Sequence, residues 1–187
     1  LGFAEQRGDV TEVQLTEHAQ ALEQMGVENV RFHFIGTLQK NKVKYLADRA
    51  VMIHSVDSLP LAEEIERQMA KRGKRMDVLV EINSGNEASK SGVAMSEAAE
   101  LCEEIARLPH LNLRGFMTMA PKCEKNEDYR KYFRETYKIG LDIWAKKLHN
   151  IGRPIFSMGM SASFPIAIEE GADFVRVGRR LSVPPEE

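Results

Sequence analysis

The chain has 187 residues, of which 43% are hydrophobic and 29% are charged, and its formal net charge is −2 at pH 7. This length and apolar content predict one globular domain with a sizeable core, and the balanced charge argues against nucleic-acid or membrane-surface binding. No apolar run approaches the roughly 20 residues of a membrane span, no signal peptide is recognised, and the two cysteines form no CxxC pair, so a reduced, cytoplasmic protein without a metal site or disulfide framework is expected.

Seven short apolar runs, each ending at a polar or glycine-bearing turn, predict seven strands separated by helices. The predicted strands are Leu1–Glu5, 30–35, 50–54, 76–83, 111–117, 154–158 and 172–177. The predicted helices cover 12–25, 38–49, a segment capped by Asp57 or Ser58, a segment capped by Ser96, 124–149 and Ser163–Glu169.

Strands that alternate with helices predict a parallel sheet, here a single (β/α)8 TIM barrel. An open, doubly wound sheet is the alternative, because periodicity alone does not show closure. The barrel needs eight strands and only seven are recognised. Since the chain starts at Leu1 rather than Met and enters a predicted strand at once, the first barrel strand and its helix are expected to be missing from its N-terminal side.

The last two predicted strands carry the strongest chemical signal. One ends in Ser-Met-Gly-Met-Ser at residues 157–161, and the next ends in Arg-Val-Gly-Arg at residues 176–179. Backbone N–H groups at such turns bind anions, and barrels of this kind commonly hold phosphate after strands seven and eight. We therefore expect an anion between Ser161 and the amides of Gly178 and Arg179.

Arg176 interrupts an otherwise apolar strand. A guanidinium inside a barrel is costly unless it is paired. It can donate hydrogen bonds but not accept them, so it is expected to face a ligand or a buried carboxylate such as Glu5 or Glu81.

Two weaker signals have ordinary explanations. The loop 84–92 contains Lys90 followed by Ser91 but lacks the spacing of a phosphate-binding P-loop, so Lys90 is expected to pair with a carboxylate such as Glu87. The five histidines show no metal-ligand spacing. His33 and His54 lie in or near strands, where a satisfied barrel histidine is slightly favoured over a catalytic one.

Six motifs follow one another along nearly the whole chain. They are residues 33–42 (HFIGTLQKNK), 54–58 (HSVDS), 81–92 (EIN, then SG and KSG), 114–118 (RGFMT), 157–161 (SMGMS) and 175–178 (VRVG). At these residues the chain resembles the pyridoxal phosphate homeostasis protein family, the YggS-like proteins.

The resemblance implies an alanine-racemase-like (β/α)8 barrel, with residues 1–187 as a single domain that binds pyridoxal 5′-phosphate (PLP). It implies a Schiff base to a lysine on the first strand, expected upstream of Leu1, so no catalytic residue is assigned within the chain. The implied cofactor-binding residues are His33, Asn83, Met160, Ser161, Arg176, Gly178 and Arg179. Arg176 would face the pyridine nitrogen and keep it unprotonated, which weakens the ring as an electron sink.

The resemblance further implies a PLP carrier that affects intracellular PLP and amino-acid and keto-acid balance, without an established turnover. A monomer is expected, with PLP-dependent apo-enzymes as candidate partners and no nucleic acid or membrane. Some residues depart from the family pattern: Gln6 replaces an asparagine, Ala162 and Ser163 replace acidic residues, and Arg179 and Arg180 stand where small residues are usual.

Two alternative functions stay open. A PLP-dependent racemase needs an acid/base on each face of the cofactor, usually a lysine and a tyrosine. All four tyrosines lie on predicted helices, where a place in the barrel core is favoured, and this argues against a racemase: Tyr45, Tyr129, Tyr132 and Tyr137. The other is a phosphate-ligand barrel that no longer forms a Schiff base.

Overall fold

The computed structural model describes residues 31–85, 91–146 and 152–177. Within them, six parallel strands form one sheet in chain order: β1 (Phe32–Phe34), β2 (Ala50–Val56), β3 (Met76–Ile82), β4 (Leu111–Thr118), β5 (Ile155–Met160) and β6 (Phe174–Arg176). These strands confirm six of the seven predicted ones. The predicted strand Leu1–Glu5 and the predicted helix 12–25 lie outside the described residues.

Helices connect the strands. They are α1 (Val43–Leu46), which follows a 3₁₀ turn at Lys40–Lys42, then α2 (Leu59–Ala70), α3 (Ala98–Ala106), α4 (Tyr129–Trp144), which follows a 3₁₀ turn at Asn126–Asp128, and α5 (Phe164–Glu169). Among the described residues, no helix is both long enough and apolar enough to cross a membrane.

Helix α2 shows how the sequence specifies the helices that connect the strands. Ser58 is its N-cap residue and a proline occupies its first turn, where a missing N–H costs nothing. Leu61, Ile65 and Met69 recur at helical spacing, which predicts one buried face, and they are at most 3% exposed. Each side chain buried in this way contributes roughly 1.5–3 kcal/mol relative to exposure.

Three helix predictions differ from the structure in extent. The helix predicted over 38–49 is limited to the short 3₁₀ and α segments, and Ser96 lies before Glu97, the N-cap residue of α3. Of the helix predicted over 124–149, the described part is helical as α4 from Tyr129 to Trp144, and residues 147–149 lie outside the described residues. The helical spacing of apolar residues over 124–149 predicts that Leu141 contacts the core, but Leu141 is 40% exposed. The buried stripe of α4 runs through Phe133, Thr136, Gly140 and Ile143, and at 100° per residue Leu141 falls beside it.

The two faces of the sheet have separate cores. One face packs against the helices through alternate strand residues such as Val78, Val80 and Ile82. On the other face, Met52, Leu79 and Met117 form a second apolar cluster, and the described helices contribute nothing to it. Helices on one face only are typical of a barrel wall and not of a doubly wound sheet.

The sheet is strongly curled. His33 in β1 and Phe174 in β6 lie on the first and last strands of the described order, yet their ring centroids are 5.3 Å apart. Strands spaced about 4.8 Å apart would place those two strands roughly 24 Å apart in a flat sheet. The sheet is therefore a curled, barrel-like parallel wall with the second cluster on its inner face.

Candidate functional site

The inner face becomes polar toward the carboxyl ends of the strands. In four strands a polar residue follows an inner apolar residue by two positions: His54 after Met52, Glu81 after Leu79, Ser157 after Ile155 and Arg176 after Phe174. Because strand side chains alternate between faces, these polar groups form a layer directly above the apolar cluster. We call His33, His54, Glu81, Ser157 and Arg176 the polar layer.

Arg176 lies in the polar layer, on the inner face as predicted. One guanidinium nitrogen, Nη1, donates to the carbonyl oxygen and to the hydroxyl of Ser157, both at 2.9 Å, and Nη2 donates to the carbonyl of Thr118 at 2.9 Å. Strand-end oxygens therefore accept hydrogen bonds from this arginine, and its charge also acts to lower the pKa of Glu81. A direct pairing with a ligand or a carboxylate stays a prediction. Glu5, one of its suggested partners, lies outside the described residues.

The two strand histidines are linked to this arginine. His33 Nδ1 lies 2.9 Å from His54 Nε2, and His54 Nδ1 lies 2.9 Å from the Ser157 hydroxyl. Burial, with the charges of His33 and Arg176 nearby, lowers the pKa of His54 to about 3. Burial and the charge of Arg31 lower the pKa of His33, against an opposing effect of Asp77. Both rings are therefore neutral near pH 7, which supports the prediction of satisfied barrel histidines.

Glu81 is the acidic member of the layer and is only 2% exposed. Burial, together with the carboxylate of Asp57, raises its pKa to about 7, while the nearby charge of Arg176 acts in the opposite direction. Near neutral pH this carboxyl can therefore hold or release a proton within the curled sheet.

The turn after β5 has the compact form that its glycine predicted. Gly159 has a φ of +88°, and a Cβ there would lie 2.5 Å from the Cβ of Ala167 in α5. The Ser163 hydroxyl accepts from the Met160 amide at 3.2 Å, and the Ser163 amide donates to the Met160 carbonyl at 2.8 Å. Met160 and Ser161 are half-buried at this turn. The other half of the predicted anion site, Gly178 and Arg179, lies outside the described residues.

Asn83 stands at the carboxyl end of β3, beyond Glu81. The backbone N–H of Asn83 donates to the backbone carbonyl of Val93 at 2.9 Å, and the backbone N–H of Val93 donates to the backbone carbonyl of Glu81 at 2.9 Å. The loop after β3 thus returns beside its own strand, and Ser91 lies 3.0 Å from Thr37 between hydroxyl oxygens. Lys90 and Glu87, predicted to pair, lie outside the described residues.

All four tyrosines lie on helices, as predicted. Tyr129, Tyr132 and Tyr137 pack in the core between the sheet and the helices. The Tyr129 hydroxyl accepts from the Cys123 amide. This placement gives no support to a tyrosine acid/base on the inner face.

Several members of the polar layer were not recognised as site residues from the sequence: His54, Ser157 and, as a titrating group, Glu81. The signal available was the two-residue offset from an inner apolar position. That signal cannot be used until the strand faces are assigned, because either set of alternate residues could face inward.

Comparisons with known proteins show which family this chain is similar to. The family model described as "Alanine racemase, N-terminal domain" matches residues 4–182. The pyridoxal phosphate homeostasis protein of Aquifex aeolicus is 43% identical over 153 residues, which are 82% of this chain and 66% of that protein. The protein of the same name from Escherichia coli K12 is 33% identical, over 85% of this chain and 67% of its own length. The chain thus spans about two thirds of the length of these curated relatives.

Among solved structures, PipY of Synechococcus elongatus with PLP bound is 25% identical and superposes with a TM-score of 0.77, over 89% of this chain and 77% of that one. The curled parallel sheet is accordingly an alanine-racemase-like α/β fold. The chain belongs to the alanine racemase N-terminal domain family and, within it, to the pyridoxal phosphate homeostasis proteins.

Proposed function

We propose that this chain, as a member of that family, binds PLP at the carboxyl end of its sheet and serves as a PLP carrier in cofactor homeostasis. The observation that carries the proposal is Arg176, a permanent cation held on the inner face by three hydrogen bonds. An arginine fixed in this way, at the strand ends where such barrels bind phosphate ligands, is suited to a ligand rich in acceptors.

The donor set fits the chemistry of PLP. The cofactor presents a phosphate, a phenolic oxygen and a ring nitrogen, all of which can accept hydrogen bonds. Arg176 is charged at any working pH and can only donate, so it matches an unprotonated ring nitrogen. Met160 and Ser161 at the β5–α5 turn, with Gly178 and Arg179, would hold the phosphate, and His33 and Asn83 would lie toward the ring.

The arrangement favours storage over turnover. When bound, PLP supplies an electrophilic aldehyde on an electron-withdrawing ring. Arg176 keeps its proton at any working pH and so does not protonate the ring nitrogen. An unprotonated ring nitrogen limits the electron withdrawal by the ring. Glu81, whose pKa is raised to about 7, is partly protonated near neutral pH and so adds less negative charge beside an anionic ligand than an ordinary carboxylate would. These residues therefore bind and orient the cofactor without promoting carbanion chemistry.

The test is PLP binding by the 187-residue protein, measured by equilibrium dialysis and by absorption. Arg176→Met should weaken binding roughly 10- to 150-fold, the value of a charge-assisted hydrogen bond. Arg153→Met is the matched control, because Arg153 is exposed and pairs with Asp173 just before β5. Borohydride reduction followed by mass spectrometry distinguishes a lysine adduct from reversible binding. Wild-type protein that does not retain PLP, or equal affinities for Arg176→Met and wild type, would contradict the proposal.

Finer features belong to the same proposal. The curl of the sheet supports a single-domain (β/α)8 barrel to which residues 1–187 contribute all but the first strand and its helix. The family supports a monomeric carrier that passes PLP to PLP-dependent apo-enzymes in the cytoplasm. Light scattering measures the oligomeric state. Reactivation of a PLP-free transaminase by the loaded protein, compared with an equal amount of free PLP, measures delivery. Reactivation no different from that by free PLP would refute a transfer role.

A further inference from the structure

We propose that Ser157, His54 and His33 form a hydrogen-bonded chain in which each group donates to the next, starting from Arg176. The role of this hydrogen-bonded chain is to position Arg176 for its ligand. The inference deepens the proposed function and rests on it in one respect: Arg176 is taken to be the residue that meets PLP. The chain itself is read from the geometry of the polar layer.

The direction begins at Arg176, because a guanidinium has donors and no acceptor. Its Nη1 lies 2.9 Å from the Ser157 hydroxyl oxygen, so that oxygen accepts. Ser157 is fully buried. Its own hydroxyl hydrogen then needs an acceptor inside the protein, and His54 Nδ1 lies 2.9 Å away. The complete pairing has Ser157 donating to an unprotonated Nδ1.

The remaining step follows from the chemistry of a neutral imidazole. A ring with Nδ1 unprotonated carries its hydrogen on Nε2. His54 Nε2 lies 2.9 Å from His33 Nδ1 and donates to it, which places the hydrogen of His33 on its own Nε2. The opposite tautomer of His54 would leave the buried Ser157 hydroxyl hydrogen without an acceptor among the described residues. A buried donor without an acceptor lowers the stability of the folded protein.

The chain has a mechanical consequence. It runs from β6 to β5, crosses the inner face to β2 and ends on β1, so it joins strands that are not neighbours in the sheet. Phe174 packs against both imidazoles, with ring centroids 5.3 and 5.5 Å away, and limits their rotation. Arg176 is thereby held by the curled wall as a whole and not by its own strand end alone.

The first test needs no ligand. Long-range ¹H–¹⁵N NMR of the histidine rings, assigned with single-histidine variants, reports the tautomer of each ring in the wild-type protein. We expect both His33 and His54 to be neutral at pH 7 with the hydrogen on Nε2. A His54 ring that carries its hydrogen on Nδ1, or that is doubly protonated, would overturn the proposed direction.

The second test measures positioning. Ser157→Ala and His54→Phe each interrupt the chain and should weaken PLP binding roughly 2- to 12-fold, the value of one hydrogen bond, whereas Ser157→Thr keeps the hydroxyl and should restore most of the affinity. His110→Phe is the control, since His110 pairs with Glu66 at the start of β4, away from the layer. Wild-type affinity in folded Ser157→Ala and His54→Phe proteins would refute the positioning role. If wild-type protein binds no PLP, the proposed function fails. The tautomer measurement still tests the direction of the hydrogen bonds between Ser157, His54 and His33.

Discussion

Replacing Glu81 by glutamine should remove most of the unfavourable pH dependence that this buried carboxyl adds to folding. Glu81 is 2% exposed, and its pKa is raised from 4.5 to about 7, first by burial and then by Asp57. Between these two values the folded protein keeps a proton that the unfolded chain releases. Stability therefore falls as the pH rises through this window. A shift of about 2.5 pK units corresponds to roughly 3 kcal/mol in full, of which about 2.5 kcal/mol develops between about pH 5 and pH 8.

His54 acts in the opposite direction. Its pKa is lowered from 6.5 to about 3, first by burial. The unfolded chain takes up a proton that the folded protein refuses, so stability is lost as the pH falls below about 6.5. Between about pH 4.5 and 6.5 the two effects oppose each other, and Glu81→Gln should expose the rise of stability with pH that His54 causes.

The measurement is urea unfolding of wild type and Glu81→Gln at several pH values, compared as the difference between their free energies of unfolding. The subtraction cancels His54 and every other group common to both proteins. The difference should grow in favour of the variant by about 2.5 kcal/mol from about pH 5 to pH 8. Glu63→Gln, the same change at an exposed helix position, should show no such trend. A Glu81→Gln difference that stays constant across this range would refute the assignment of a raised pKa.

Other substitutions test how the site is built. Gly159→Ala should cost roughly 2–5 kcal/mol, since it combines a positive φ with a Cβ placed 2.5 Å from Ala167 Cβ, whereas Gly73→Ala, also at positive φ but with nothing within 4 Å, should cost only about 1–2 kcal/mol. Equal losses by thermal or urea unfolding would show that β5 does not approach α5 this closely. Thr118→Val should cost roughly 1–3 kcal/mol, because the Thr118 hydroxyl is buried 2.9 Å from that of Ser84 and the substitution leaves Ser84 without this partner. A Thr118→Val protein as stable as wild type would contradict this account.

Local patterns were sufficient for much of the fold. The six described strands coincide with predicted apolar runs because each run is short, is bounded by turn residues and must be buried on both faces in a parallel sheet. The apolar face of α2 was also predictable, since Leu61, Ile65 and Met69 recur at helical spacing. Helix starts were less predictable, as at α4, which begins at Tyr129 although the helix was predicted from residue 124. The inward direction of Arg176 followed from a charged residue within an apolar strand.

What the sequence determined by itself is thus the order of strands and helices, the motifs of the family and the need to satisfy Arg176. The tertiary structure decided which groups satisfy it. Ser157 belongs to the neighbouring strand β5 and Thr118 to β4, and their carbonyls meet Arg176 where these strands lie side by side in the sheet. The curvature of the sheet brings His33 against Phe174 from the opposite edge. Hydrogen bonds and desolvation depend on distances of a few ångströms between residues far apart in the chain, and no local pattern carries those distances.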